Sequence, residues 1–578
     1  MARGRRSGVT FRGGRHLPGG GVARRRGHRA ALTVAPAVLA GILLRAPLAG
    51  TGLPYIHDPD EDRIPRVAAG MVTERRVEPG FYSYPGLVFD VAAAMIAPVV
   101  PRDTDVSAET SPLAATQTQG NAVTERPRVI LALRWALFVL PGAVAVAAAG
   151  AAAWLASRRW PAAGLAAGFV ALSPLDLAFG RYMTPNALAG AAAGLVALAA
   201  VALLDGPRPA RYVLAGAALG FAGAAKYNVV LVGVAIVVAH AAALAPEGWR
   251  VVLRRSWLLV VAGLTAAIVF LLLNPGVLLD WPNFRWGVSY EQRHYRTGHP
   301  GNEGDALGFH LSALARSAGP ALLMVPLGLL ARDRRARAAA VVLAAAVVPY
   351  LAFISSFEVR FARNLLSVTV PLAAGAALGV TAVVDRLRPR PRARWHPLDP
   401  AAPPAAARSP GRHRPQLRVA VGAFVAVACL GWPLVRAVDV VDEAVPDPWA
   451  PAQRWLEAHV PAGSSVAVED YGVHVDPGRY QVGTTPRLVA HDAAWYRDHG
   501  FVLLVAGERN FERYLDDPEQ FPDVAAAYED LLAETCTVFA AGPPGERVLL
   551  LDPDCRRDDP REPARARAGG SAVIDPEQ

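Results

Sequence analysis

Lysine is nearly missing from this 578-residue chain, for of its 59 basic residues all but Lys226 are arginine. Cysteine is scarce as well. The three present, Cys429, Cys536 and Cys555, match no metal-ligand spacing, which argues against a zinc module; the last two fall in a segment where a disulfide is permitted if that segment lies outside. Acids are absent from the first thirty positions, which carry nine arginines. Amphipathic stripes are lacking too: 53% of the chain is apolar, gathered in long blocks, and this excludes a string of soluble domains. The formal charge of +10 could suggest nucleic acid, but the arginines cluster between the apolar blocks, so no nucleic-acid partner is expected.

What is present is a succession of stretches long enough to cross a bilayer at about 1.5 Å per residue. They cover 31–53, 129–156, 161–179, 185–204, 212–225, 227–245, 256–274, 318–331, 338–356, 364–384 and 419–437, which predicts eleven spans. The first is longer than the apolar part of a secretory signal and is read as an uncleaved span. With the N-terminus inside, the inner loops are 157–159, 205–211, 247–255, 332–337 and 386–418, and every one is basic. The opposite orientation would set all these arginines outside, against the positive-inside bias.

The fold class expected is therefore an α-helical polytopic membrane protein with a small extracytoplasmic α/β domain at its C-terminal end. The divisions are a basic cytoplasmic N-terminus (1–30), a transmembrane domain (31–437) with long outer loops at 54–128 and 274–319, a Pro- and Arg-rich cytoplasmic linker (385–418), the outer domain (438–555) and a polar tail (556–578) read as disordered. In the outer domain, 450–459 and 511–515 read as helices and 465–469, 501–506 and 548–551 as strands. In the first outer loop, an apolar run over 84–100 is too short to span comfortably, contains Asp90, and should lie along the outer interface. The Ala, Arg, Gly and Pro bias suggests a GC-rich bacterial genome, hence a bacterial plasma membrane.

Long loops usually carry function. The first opens with His57-Asp58-Pro59-Asp60-Glu61-Asp62-Arg63, four carboxylates within five residues just after a span. Carboxylates near a low-dielectric boundary and near one another have raised pKa values, which suits a general base that takes a proton from a hydroxyl. The alternatives are a solvated acidic turn and a divalent metal held by paired acids. Lys226 stands in Gly223-Ala-Ala-Lys226-Tyr227-Asn228 at an outer end; in a chain so given to arginine, a lysine suggests a compact ammonium facing a phosphate, with a snorkelling side chain as the alternative. Arg45 interrupts the outer half of the first span and faces either a polar cavity or the interface. Arg181-Tyr182 and Arg360-Phe361-Ala362-Arg363 also sit at outer ends, where a common anionic ligand would explain them. The second loop holds Glu291-Gln292-Arg293-His294-Tyr295-Arg296-Thr297-Gly298-His299, a basic-aromatic segment that either closes over a bound head group or is an ordinary interfacial helix face.

Taken in order, these residues resemble the GT-C glycosyltransferases of the protein-mannosyltransferase and aminoarabinose-transferase type, glycosyltransferase family 39. The resemblance runs from Leu53-Pro54-Tyr55, His57 and Pro59-Asp60-Glu61, through Phe81-Tyr82-Ser83-Tyr84-Pro85, Ser173-Pro174, Gly180-Arg181-Tyr182, Lys226-Tyr227-Asn228, Asn274-Pro275 with Asp280, and Tyr295 to Gly301, into the outer domain at Trp455-Leu456, Pro461-Ala462-Gly463 and Tyr496-Arg497. It implies inverting transfer of a sugar from a polyprenyl-phosphate donor to a protein, lipid or cell-wall glycan acceptor at the outer face, with no nucleotide-binding fingerprint needed. Asp60 matches the family's base, with Glu61 beside it. Lys226, Arg45, Arg181, Arg293 and Arg296 are the candidates to meet the donor phosphate, and His57, Tyr84, Tyr182, Tyr227, His294, Tyr295 and His299 the candidates to line the substrate site. Asp58, inserted between His57 and Pro59, departs from the family pattern and leaves open which carboxylate is the base. A transporter or flippase of a lipid-linked or anionic substrate is the rival reading; the lack of a clear repeated half weighs against it.

Overall fold

The computed structural model describes residues 20–53, 56, 58–98, 127–386 and 414–554. His57, Cys555, most of the N-terminal arginine segment, loop residues 99–126, most of the linker and the tail lie outside the described residues, so the expectations placed on them are not addressed by the fold.

Nine described helices are long and apolar enough to span a bilayer, or ten if a pair bent by 105° counts as one. The least covered is Trp249–Leu272, whose Leu264, Ile268 and Leu272 are exposed in the manner of lipid-facing side chains, and the most enclosed is Ala362–Arg386. The helix Pro209–Ala225, expected as the fifth span, has 17 residues and falls outside that count. It packs along Trp257–Leu272 through Gly216 and Gly220, four residues apart; a Cβ at either would run into the backbone carbonyl of Ala262 or Ala266. Small residues at this spacing let two backbones approach where no water drives helices together.

One expected span takes a different form. The apolar run 318–331 is the second arm of the bent pair Ala306–Ala318 and Pro320–Leu330. At the joint Gly319 adopts φ +52, a left-handed conformation, and Pro320 follows it. A proline cannot donate the amide a continuing helix needs, so the chain turns instead.

The basic loops assigned to one side do meet. Asp205 is bridged by Arg158 at 2.8 Å and by Arg335 at 2.6 Å, and Arg159 pairs with Asp385 at 2.6 Å. At the other end of the bundle, the acidic segment forms the first turn of a helix, Pro59–Thr73. Asp58 is its N-cap, with its carboxylate accepting the Asp60 N–H at 3.0 Å, and proline holds the first helical position. The run after Tyr84 is the helix Gly86–Ile96, whose Val88, Phe89, Ala92 and Ile96 pack on Ile64, Ala68 and Met71 of Pro59–Thr73. Asp90 is partly buried there, and burial raises its pKa to about 6.

The C-terminal domain, called the outer domain below after the side expected for it, carries a five-stranded sheet: β1 (Ser465–Glu469), β2 (Gln481–Thr485), β3 (Phe501–Gly507), β4 (Cys536–Ala541) and β5 (Val548–Asp552), in the order β2-β1-β3-β5-β4. The first three strands are parallel, while β5 runs antiparallel to both β3 and β4. β1 lies between β2 and β3, so the chain order reverses at the β1/β3 boundary, and in parallel sheets the carboxyl ends of strands at such a boundary form a crevice. Asp470 and Tyr471 follow β1 there, and the helix Glu508–Leu515 follows β3.

Candidate active site

That crevice faces the membrane-spanning bundle across a cavity of about 1300 Å³. Its floor comes from the ends of the spans and its roof from Tyr471, Arg509 and Arg513 of the outer domain.

Asp60 lies on the cavity wall in the first turn of Pro59–Thr73, with its side chain 37% exposed. Its Oδ2 accepts a hydrogen bond from Arg363 Nη1 at 2.9 Å, and Arg363 in turn lies over the Phe361 ring at 4.2 Å. A guanidinium has five donors in a fixed fork, so one contact to Asp60 leaves others for a ligand.

Lys226 lies on the floor, at the break between Pro209–Ala225 and Tyr227–Gly233. Its Nζ donates to Asn186 Oδ1 at 2.9 Å and Asn364 Oδ1 at 2.8 Å. Both partners are amide oxygens, which hold the amine without an opposing charge, while burial and the nearby Arg363 lower its pKa to about 7, so that an arriving anion would favour the ammonium form. Among the candidates for the donor phosphate, Lys226 alone lines the cavity among the described residues.

The other cations stand elsewhere. Arg45 is 1% exposed and donates to the carbonyls of Gly41, Val170 and Ala171, so it braces the first span against the helix Trp160–Ala171. Arg181 lies behind the wall and donates to the Tyr182 hydroxyl at 2.8 Å, which holds that ring at the cavity. Arg293 and Arg296 are on the exposed side of the helix Trp281–Thr297, since its cavity side presents Glu291, His294 and Tyr295 instead.

Glu61, next to Asp60, points into protein. It is 1% exposed, accepts from Arg134 at 2.6 and 2.9 Å, and takes the Met183 N–H at 2.9 Å. With both oxygens engaged away from the cavity, it is an anchor for the helix and does not meet a ligand.

Six of the substrate-site candidates line the cavity: Tyr84, Tyr182, Tyr227, His294, Tyr295 and His299. Several pack edge to face, with Tyr295 against Phe361 at 6.0 Å and His299 against Phe361 at 5.3 Å. Burial, aided by Arg513, lowers the His299 pKa to about 4, so this ring is neutral at pH 7. Burial, with the nearby Asp60, pushes the Tyr84 hydroxyl up, so it stays a donor.

The roof was not legible in the sequence. Tyr471 adopts φ +64, a left-handed conformation uncommon for a large side chain and a mark of a conformation the surroundings hold in place. Its ring lies under Arg509 at 4.8 Å and Arg513 at 5.6 Å. Arg509 and Arg513 are four apart on Glu508–Leu515, and this spacing after a strand was the available signal. Among the described residues no group of three or more His, Cys, Asp or Glu could hold a metal ion. The paired acids considered as ligands are parted, with Asp60 on the cavity and Glu61 bound to Arg134.

Comparison with known proteins agrees with the family resemblance over part of the chain. Residues 130–273 match the family model described as dolichyl-phosphate-mannose-protein mannosyltransferase. That stretch holds Arg181, Tyr182, Lys226 and Tyr227 but neither Asp60 nor the outer domain. Two similar solved structures are of ArnT from Cupriavidus metallidurans, one bound to undecaprenyl phosphate and one in the apo state. Each is 14% identical and covers 90% of this chain and 97% of the other, with TM-scores of 0.48 and 0.49. No curated protein matches the chain.

Proposed function

We propose that the chain is a membrane glycosyltransferase that moves a sugar from a polyprenyl-phosphate donor to an acceptor hydroxyl at the outer face of a bacterial plasma membrane, with Asp60 as general base. The observation that carries this is the opening of the Asp60 carboxylate and the Lys226 ammonium into one cavity at the ends of the spans. The likeness of residues 130–273 to dolichyl-phosphate-dependent transferases supports the donor class. The positive-inside count supports the orientation.

In the reaction, Asp60 takes the acceptor hydroxyl proton while that oxygen attacks the anomeric carbon from the face opposite the lipid phosphate. The bond from that carbon to the phosphate oxygen breaks, the centre inverts, and polyprenyl phosphate leaves with the electron pair. Lys226 and the free donors of Arg363 meet the charge that develops on the leaving phosphate, in a cavity where such contacts are stronger than in bulk water. Arg363, bonded to Asp60, also keeps base and leaving group in register. The donor's isoprenoid tail stays in the bilayer, which explains a site at the ends of membrane spans.

The test is transfer from a panel of synthetic polyprenyl-phosphate sugars by the purified full chain in lipid, wild type beside Asp60→Asn. Transfer by the wild type and its loss in the variant supports the reading. No transfer from any donor would favour a lipid-substrate transporter.

A further inference from the structure

Asp58 stands between the base and the outer domain. One carboxylate oxygen caps the helix by accepting the Asp60 N–H at 3.0 Å. The other faces Arg509 Nη1 at 3.8 Å, beyond direct hydrogen-bond length and within range of a charge pair or a single bridging water. A small crevice of about 20 Å³, lined by Asp58, Arg509, Tyr182, Tyr471 and Glu546 together with apolar Trp449, Val473 and Val548, adjoins the pair and has room for about one water. Arg509 is itself positioned, lying over the left-handed Tyr471 at the carboxyl end of β1.

We propose that Asp58 is a positioning residue that couples the seating of the outer domain to the placement of the base. The coupling rests on the reading of Asp60 as that base. Arg509 draws Asp58 toward the roof, and Asp58 holds the first helical turn on which Asp60 rides. Glu61, bound to Arg134 on the inner side of the same turn, supplies the second point of attachment. Two attachments fix the rotation of the turn about the Glu61 anchor, which one would leave free. When the roof is lifted, Arg509 leaves Asp58 and the Asp60 carboxylate loses its aim, so transfer is confined to the state in which the roof also keeps bulk water from the donor.

The test uses the full chain in lipid and four variants: Asp58→Asn, which keeps a capping oxygen and loses the charge, Arg509→Gln, their combination, and Arg509→Lys. Asp58→Asn and Arg509→Gln should each lower kcat about tenfold to a hundredfold, the range for a misaimed catalytic group, with donor KM unchanged. The double variant should be no worse than the worse single one, and Arg509→Lys should recover most of the rate. Amide hydrogen exchange over residues 60–64 should be faster in Arg509→Gln than in wild type or Arg509→Lys, a readout that needs no substrate. Losses that multiply in the double variant, or unchanged exchange in Arg509→Gln, would overturn the coupling. So would a dead Asp58→Asn beside a fully active Arg509→Gln, which would make Asp58 the base. An inactive wild type would sink the transferase reading alone, because exchange still decides the coupling.

Discussion

The floor and the roof of the cavity hold their cations in opposite ways. On the floor, Lys226 is gripped by the amide oxygens of Asn186 and Asn364, which set no carboxylate against it. In the roof, Arg509 and Arg513 lie against the Tyr471 ring on a helix side that also turns Glu512 and Asp516 to the cavity. Neighbouring carboxylates mute an arginine's field, whereas an amide only aims a cation. On the proposed reading, the comparison assigns recognition of an anionic donor to the floor, while the roof shapes the space above it.

The largest effect that bears on this division is expected from Asp60→Asn. Loss of a general base costs about 10²- to 10⁴-fold in turnover, and donor binding should persist because Lys226 is untouched. An active variant would remove Asp60 from the role. Next comes Lys226→Met, which should lower kcat/KM for the donor about 10²- to 10³-fold, as expected when a charge-stabilising donor is removed. Arg513→Met should leave donor KM within about twofold, because this half-buried guanidinium donates to the Asn510 carbonyl and has carboxylates beside it. Equal damage from the two substitutions would abolish the distinction between floor and roof.

Glu61→Leu tests the anchor. It strands Arg134 in a buried site, and breaking one half of such a pair costs about 3 kcal/mol, read as a fall in Tm in lipid or detergent. An unchanged Tm would show that the pair does not hold the helix.

A smaller effect is expected from pH. Burial raises the Asp58 pKa from 3.8 to about 6, with Arg509 opposing the shift and Asp60 and Glu61 adding to it. The groups facing it are Arg509, Tyr471 and Glu546 from the outer domain, Tyr182 from the bundle, its helix neighbours Asp60 and Glu61, and Arg363. As pH falls through about 6, Asp58 takes a proton and releases Arg509, so kcat should fall in wild type and this limb should vanish in Asp58→Asn. Stability moves the other way. The folded protein binds this proton more readily than the unfolded chain, so the cost of burying ionised Asp58 is present above about pH 6 and fades as pH drops. A fall in Tm that tracks the fall in kcat would therefore contradict the assignment. The smallest effect is that of Arg293→Ala and Arg296→Ala, exposed on the helix Trp281–Thr297, where transfer should change by less than about twofold.

Nine of the eleven stretches read from length and apolar composition fall on described helices long and apolar enough to span, because a bilayer constrains a helix over its whole length. Three of the basic loops assigned to one side by their arginines, 157–159, 205–211 and 332–337, meet around Asp205. The bend at Gly319-Pro320 was written in two residues but hidden by the apolar run around them. Lys226 stood out by composition, and its place on the floor fits that signal. Arg45 stood out equally and turned inward, because two carbonyls of the helix packed against it and one of its own preceding turn were there to catch it, and no local pattern announces the two distant ones. Glu61 was paired with Asp60 because they are adjacent, yet its partner Arg134 is 73 positions away. The roof arginines come to the cavity only through the sheet order of a separate domain.

The helix Pro59–Thr73 turns by about 100° per residue, which is why two adjoining acids can have unrelated fates. Glu61 is locked to Arg134 on the inner side, and that lock sets the angle at which Asp60 looks out. The segment therefore behaves as a key cut to one phase. Sliding the acids by a single position relative to the Arg134 lock would turn the base into the protein and the anchor into the cavity, with every carboxylate still present. Composition alone would not register that change, so the spacing of Pro59, Asp60 and Glu61 is itself part of the proposed active site.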